Sequence, residues 1–288
     1  MTKPDHQPRN REILWPQMMW RVGFGIMHIV FIPVVIMLCT MLPYAIIPLF
    51  LLGFGAFFGL ISFANAKKLL RHPNRYVQQL GALIFASLWF GHRASSEILI
   101  HQVHKATPID PNTAKQGESI YQFIKRAWIG SYRAGLYAEN KRRMAFNHGQ
   151  VDLFHPYLKY WLVPLMISIA IHHLMGGVGL GFYIGLSMMA QLITLLCDYV
   201  RHYGLRRERD HYKRYLPIQQ HHYWIAPRRH GPKNSPHTHG KSAQNSAHMQ
   251  SPHLPFTMIT MMFICLFPRW FQNLMQPRLR DWQRLNRI

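Results

Sequence analysis

Histidine is the side chain with the most chemistry to offer in this sequence. The chain has 19 of them in 288 residues, and neutral imidazole is a good ligand for iron, zinc and copper. His101 and His104 stand three apart, which puts both on one helix face. His221 and His222 are adjacent, and His237 and His239 sit close together in a stretch rich in Pro, Ser, Asn and Gly. His92 precedes the first pair, and His202 lies in the run Asp198–Leu205. Histidines scattered over a basic chain also occur as plain solvated side chains, so spacing alone leaves a metal site and a basic loop both open. His172 and His173 adjoin Gly176-Gly177. Near a membrane interface they read as neutral, locally hydrogen-bonded groups, although an ionisable residue at that depth is a functional candidate by default. Cys39, Cys197 and Cys265 lie far apart in apolar segments without a CxxC pair. They predict neither a disulfide framework nor a thiolate metal site.

The elements that must position these groups are built in a membrane. From Val22 to Ala66 there is no carboxylate, amine or guanidinium, and His28 is the one histidine. That run is about twice the ~20 residues a helix needs to cross a bilayer. Tyr160 to Cys197 is a second such run. Backbone groups find no water in the bilayer core, so both must be helical. The first is too long for a cleaved leader. Each reads as a hairpin, the first turning at Pro43 and the second at Gly176-Gly177. Gly55 and Gly59 are spaced for close approach of another helix. Two further apolar stretches, 76–91 and 256–267, are too short to span with certainty and read as re-entrant or interfacial. The predicted fold is an all-α integral membrane helical bundle of four spans, and up to six, with a cytoplasmic cap of helices and loops. Its parts are a polar N-terminus (1–19), a first hairpin (20–66), a cytoplasmic segment (67–159), a second hairpin (160–197) and a basic, His-rich cytoplasmic segment (198–288).

The net charge of +22 comes from 33 Lys and Arg against 11 Asp and Glu. In a soluble protein that excess would suggest nucleic acid. Here the cations crowd beside the apolar runs: Arg9, Arg11 and Arg21; then Lys67, Lys68, Arg71 and Arg75; then Arg201, Arg206, Arg207 and Arg209. Positive charge at span ends marks the cytoplasmic side and meets anionic lipid headgroups. No basic stripe with interleaved aromatics argues for nucleic acid. The expectation is a multi-pass protein of the cell inner membrane with cytoplasmic termini and lipid as its partner.

Three stretches carry a family resemblance. Residues 106–123, ATPIDPNTAKQGESIYQF, resemble the segment that follows the second histidine box of the membrane-bound alkane 1-monooxygenases, which group with the fatty-acid desaturases and xylene monooxygenases. Asp198–Leu205 is similar to that family's NYxEHYGL, and residues 268–282, PRWFQNLMQPRLRDW, resemble its PxWFxxxMxP stretch. The three occur in family order. The resemblance implies a helical membrane fold with a cytoplasmic cap and two irons held almost wholly by histidines. It also implies oxygen insertion into a terminal C–H bond, with electrons from a rubredoxin-type donor.

Carried over residue by residue, the iron shell is mostly replaced. The family's first box, HExxHK, falls on Lys67-Lys68-Leu69-Leu70-Arg71-His72, so Lys67 and Arg71 stand at two ligand positions. The second, EHxxGHH, falls on Ser96–Gln102. His101 is kept, Gln102 replaces a histidine, and Glu97 replaces another but could bind iron through oxygen. His202 is kept in the HYG motif, with Arg201 in place of Glu. The third box, HSDHH, falls on Asn234–Thr238, where Asn234 and Thr238 replace ligands and His237 remains. Cations at ligand positions repel a metal, since Lys binds only when deprotonated and Arg is never deprotonated in practice. Three functions follow as expectations. One is a hydroxylase whose site is rebuilt from His92, Glu97, His101, His104, His202, His221, His222, His237 and His239. Another is a non-catalytic scaffold or lipid-binding relative that has lost its di-iron site, which is the plainer account. A membrane-tethered nucleic-acid binder ranks last.

Overall fold

The structure, a computed structural model, describes residues 9–146, 155–227 and 252–285. His237, His239, Asn234 and Thr238 therefore lie outside the described residues. The chain divides into two compact units, Met1–Leu99 with Tyr132–Thr194, and Ile100–Ser131 with Leu195–Ile288. Among the described residues everything regular is helical. The strand-like pairings among these residues are isolated bridges, Arg209 with Tyr215 and Ile225 with His253.

In the first unit, α1 (Arg9–Met41) contains Pro16 and Pro33. From Val22 onward it is apolar on all sides apart from His28 and Thr40, as a membrane helix must be. His28, Ile32, Val35, Ile36 and Cys39 form its buried face, while Ile26, Val30, Val34 and Met37 point outward. The chain turns through Pro43, whose carbonyl accepts from the Ile46 N–H at 3.0 Å. It returns through α2 (Ile47–Ala56), a π-helical segment (Phe57–Ser62) and α3 (Phe63–Leu69). Pro16–Met41 and Ile47–Leu69 are each long and apolar enough to cross a membrane. Buried among these helices, His28 is fully hydrogen-bonded. Its Nε2 lies 2.9 Å from Ser87 Oγ and its Nδ1 2.5 Å from Ser62 Oγ. Ser87 gives its own proton to the Ile84 carbonyl. His28 Nε2–H must then donate to Ser87 while Nδ1 accepts from Ser62, which makes this imidazole an interhelical clamp.

The stretch that reads from sequence as short and apolar begins with α4 (Arg75–Ala86), capped by Asn74 Oδ1, which accepts the Tyr76 N–H at 2.8 Å. Twelve residues cover about 18 Å, well short of the ~30 Å hydrocarbon core. It is instead packed inside the unit: a Cβ on Gly81 would meet the Ala66 carbonyl oxygen at 2.9 Å. Ile84, Phe85, Leu88 and Phe90 are fully buried.

α7 (Ile120–Phe146) and α8 (Pro156–His202) both run from one unit into the other. A straight helix of 47 residues would be about 70 Å long, over twice the bilayer core. Gly176 breaks it with φ +67° and ψ −168°, a conformation open to glycine and disfavoured for other residues. Past it the chain doubles back, because a Cβ on Gly179 would lie 3.6 Å from Ile171 Cγ2, eight residues upstream. His172 and His173 are exposed beside this reversal. The close approach expected at Gly55 and Gly59 is made by the returning arm of α8. A Cβ on Gly55 would collide with Met189, and one on Gly59 would stand 2.6 Å from the Ala190 carbonyl oxygen. Thr194 Oγ1 donates to the Gly59 carbonyl at 3.2 Å.

In the second unit, α6 (Gln102–His104) leads through a loop to the start of α7, and the C-terminal part carries α9 (Met258–Ile264) and α10 (Pro268–Leu285). The buried face of α10 is Phe271, Met275, Leu279 and Trp282, a spacing of three and four that makes one helical stripe. Phe271 packs on Tyr199 and Tyr203 with ring centroids 5.1 and 5.0 Å apart. Leu279 Cδ2 lies 2.5 Å from where a Cβ on Gly204 would be, and Gly204 has φ +72°. The histidine-bearing turn 202–205 and the C-terminal helix thus lock together through a glycine.

Candidate functional site

In the first unit the polar focus is Glu97. α5 (His92–Ser96) passes into a π-helical segment, Glu97–His101, whose first residue is this carboxylate. Such wide turns concentrate at functional positions. The Glu97 side chain is 1% exposed. Three cations reach it: Lys67 Nζ at 3.6 Å, Arg71 Nη2 at 3.4 Å and Arg93 Nη2 at 3.3 Å. Lys67 and Arg71 are four residues apart, one turn along the end of α3, so both face the same point. Arg93 is four residues before Glu97 and fully buried, whereas the Arg71 side chain is half exposed. These separations exceed the 2.7–2.9 Å of a tight charge-assisted bond. Arg71 reaches Oε1, while Lys67 and Arg93 reach Oε2.

The positions that the family boxes assign to ligands at 67, 71 and 97 therefore do converge. What they bring together is an ion cluster. Arg93, which no family box singles out, is its most buried member, and its spacing from Glu97 was the available signal. His92 is buried nearby in sequence but packs edge-on against Phe90 and Tyr132, with centroids 5.1 and 5.5 Å away.

In the second unit the focus is His101. Its Nδ1 lies 2.8 Å from Asp110 Oδ2, which also accepts from Thr113 Oγ1 at 2.7 Å, while Asp110 Oδ1 accepts the Asn112 N–H at 3.0 Å. Burial pushes the Asp110 carboxyl up, but His101, Thr113 and the Asn112 amide outweigh it and hold the group below the usual carboxylate range. Asp110 is thus ionised and accepts from His101 Nδ1–H, which turns the imidazole's Nε2 away from the carboxylate. That is how a carboxylate orients a histidine for ligation. The His202 ring stands edge-on to His101 with centroids 5.3 Å apart, and its buried Nδ1 has no hydrogen-bond partner. The 106–123 and 198–205 stretches meet here and line a cavity of about 290 Å³ through Ala106, Thr107, Asp110, Gly204 and Leu205.

The other histidines of this unit contribute less. His221 and His222 are buried with rings 4.1 Å apart. Burial, then His221 and Arg207, push His222 down to about 4, and burial lowers His221 as well. His222 Nδ1 accepts the Gln219 N–H at 2.9 Å, so its proton sits on Nε2, the wrong tautomer for a ligand at that nitrogen. His104 and Gln102 are half-buried on α6. Among the described residues no three His, Cys, Asp or Glu side chains are grouped to hold a metal ion.

No protein-family model matches the chain. Curated proteins do. Alkane 1-monooxygenase 2 of Pseudomonas aeruginosa is 26% identical over 247 residues, 80% of this chain and 64% of the relative. Alkane 1-monooxygenase 2 of Alcanivorax borkumensis is 21% identical over 263 residues, 83% of this chain and 68% of the relative. This chain is a divergent homologue of the alkane 1-monooxygenases. The xylene/toluene monooxygenase hydroxylase component XylM of Pseudomonas putida matches as well, at 25% identity over 74% of this chain and 59% of the relative. The chain spans less than two thirds of the length of two of these three relatives. Two histidine-held irons do not fit the described residues of this homologue. Of the positions that the resemblance assigns to ligands, two carry cations, and the carboxylate at a third lies 3.6 and 3.4 Å from them.

One consequence concerns Asp110. A folded carboxyl held below its unfolded value of about 3.9 stabilises the protein above that pH. The contribution is lost as pH falls through the lower folded value. Asp110→Asn should therefore lower stability at pH 7 by about 1.5–3 kcal/mol, the range for a hydrogen bond to a charged group, and flatten the acid limb of the unfolding profile. Thermal unfolding of both proteins in detergent across pH 3–7 measures it, and parallel acid limbs would contradict it.

Proposed function

We propose that this protein is a membrane-embedded relative of the alkane and xylene monooxygenases that does not hydroxylate and serves as a scaffold holding lipid or another apolar chain. The observation that carries this reading is the enclosure of Glu97 by Lys67, Arg71 and Arg93. Fixed cations stand at the places a di-iron centre of this family needs for ligands. At a separation of ~5 Å and an effective dielectric near ~20, the fully buried Arg93 costs a divalent metal several kcal/mol, and the partly exposed Lys67 and Arg71, screened by water, add less. Purified full-length protein, loaded anaerobically with ferrous iron in mild detergent, is expected to retain far less than two irons per chain by mass spectrometry. It should also form no 1-octanol from octane with a rubredoxin, its reductase and NADH. Two tightly bound irons, lost in the His101→Ala/His202→Ala variant, would refute it.

A second reading keeps catalysis through a rebuilt site, and His101 favours it: Asp110 already orients this imidazole as for a ligand. That reading needs a rubredoxin-type donor and a terminal C–H substrate, and it predicts octanol from the unmodified chain. In either case we place the protein in the cell inner membrane with both termini cytoplasmic. Two hairpins return the chain to one side, and the Lys/Arg excess flanks that side. Native cysteines are buried, so Arg75→Cys, Lys141→Cys and Arg284→Cys report topology cleanly. An impermeant maleimide should label them only after the membrane is opened, and labelling of intact spheroplasts would sink the topology.

A further inference from the structure

The C-terminal part of the second unit turns an apolar ridge outward. Met261, Met262, Ile264 and Cys265 bury the inner face of α9. The outer face shows Ile259, 73% exposed, and Phe263, 62% exposed, with Phe256 before them and Phe267 and Trp270 after, all exposed. Positions 256, 259, 263, 267 and 270 recur at three or four residues and form one stripe. The stripe is continuous through the turn into α10, with Phe263–Phe267 and Phe267–Trp270 centroids 5.9 and 6.3 Å apart. The short helix closes its own backbone at both ends. Thr257 Oγ1 accepts the Thr260 N–H at 3.3 Å, and Cys265 and Phe267 N–H groups reach the Met261 and Ile264 carbonyls at 2.9 Å. Tyr121 Oη donates to the Leu266 carbonyl at 2.9 Å. Beside the ridge, α10 exposes Arg269, Arg280 and Arg284 on its outward side and Arg278 on its flank, with Asp281 as the acid among them.

We propose that residues 256–270 are a monotopic lipid-binding ridge. It lies in the plane of the bilayer interface, with the stripe among acyl chains and Arg269, Arg278 and Arg280 on the phosphates of anionic headgroups. The seven residues of α9 extend about 10 Å, a third of the hydrocarbon core, so the segment cannot cross. A stripe of large exposed side chains is a contact surface rather than a water-facing one. The flank decides the partner. An arginine excess matches an anionic leaflet, Trp270 has the amphipathic ring favoured at the headgroup level, and satisfied backbone polar groups permit entry into the acyl boundary. Since α10, into which the ridge continues, packs on Tyr199, Tyr203 and Gly204, the ridge anchors the retained histidine turn to the membrane surface.

The test uses full-length protein in nanodiscs of phosphatidylcholine with or without phosphatidylglycerol. A spin label on Phe263→Cys should collide with oxygen severalfold more than with a water-soluble nickel chelate. A photoreactive benzophenone amino acid at position 267 should yield lipid adducts. In mixed membranes the Arg269→Gln/Arg278→Gln/Arg280→Gln variant should retain at least twofold less phosphatidylglycerol around the protein than the parent, at unchanged Tm. Dominant nickel collision at 263 overturns the proposal, as does a crosslink at 267 to a second copy of the chain or to another protein without lipid adduct. Equal phosphatidylglycerol enrichment in the triple variant overturns the headgroup assignment.

Discussion

Glu97→Ala is expected to destabilise the protein by about 3–5 kcal/mol, the cost of breaking a buried ion pair by removing one partner. The effect arises at Arg93, which is fully buried and turns its Nη2 to this carboxylate at 3.3 Å. Lys67→Ala and Arg71→Ala should each cost under about 1 kcal/mol, because their side chains are partly exposed and water screens what they lose. The double variant Arg93→Met/Glu97→Leu should recover most of the loss, since replacing both members of a buried pair by apolar groups is often neutral. Thermal unfolding in detergent, with and without a chelator, separates an ion cluster from a metal site. In the ion-cluster case the chelator changes nothing in the parent protein. A Glu97→Ala protein as stable as the parent would show that the cluster does not hold this unit together.

Much of the scaffold was legible in the sequence because a bilayer leaves few choices. Charge-free runs of such length must be helices, Pro43 and Gly176 mark where they reverse, and Gly55 and Gly59 mark where another helix comes close. The ion cluster was legible only in part. Lys67 and Arg71 follow an apolar run, where cations ordinarily meet lipid headgroups, and they also occupy family ligand positions. Both readings fit the same letters. What separates them is Glu97, some thirty residues on, and nothing local pairs residues across that interval. Arg93 was hidden for a different reason: it stands only four residues before Glu97, but a guanidinium beside a histidine looks like surface charge until burial is known. Asp110 stood inside the family-like stretch, but its role depends on a 2.8 Å contact with His101 that spacing does not predict. His221 and His222 show the converse. An adjacent pair looks like a ligand pair, yet a backbone N–H at Nδ1 of His222 fixes the other tautomer.

Restoring the family's boxes should not by itself restore hydroxylation. The changes Lys67→His, Arg71→His, Glu97→His, Gln102→His, Asn234→His and Thr238→His supply imidazoles at the replaced positions, and those at 67, 71 and 97 face one point. The obstacle is Arg93. In the parent its charge is met by Glu97, and the reversion removes that carboxylate while leaving a fully buried guanidinium aimed at the new histidines. Ligands also act only when their hydrogen-bond partners orient them. From sequence the expected obstacle is Arg201, which stands beside His202 where the family has Glu. The structure exposes Arg201, so water screens its charge and its effect is the smaller one. The six-fold revertant should therefore bind iron weakly and form little 1-octanol. Adding Arg93→Met should raise iron retention at least tenfold, a change of about 1.4 kcal/mol, whereas adding Arg201→Glu should change it much less. Metal content after desalting and octanol formed with rubredoxin, its reductase and NADH are the two readouts. Full activity in the six-fold revertant would show that Arg93 does not oppose the metal. A larger gain from Arg201→Glu than from Arg93→Met would move the obstacle to the turn that carries His202.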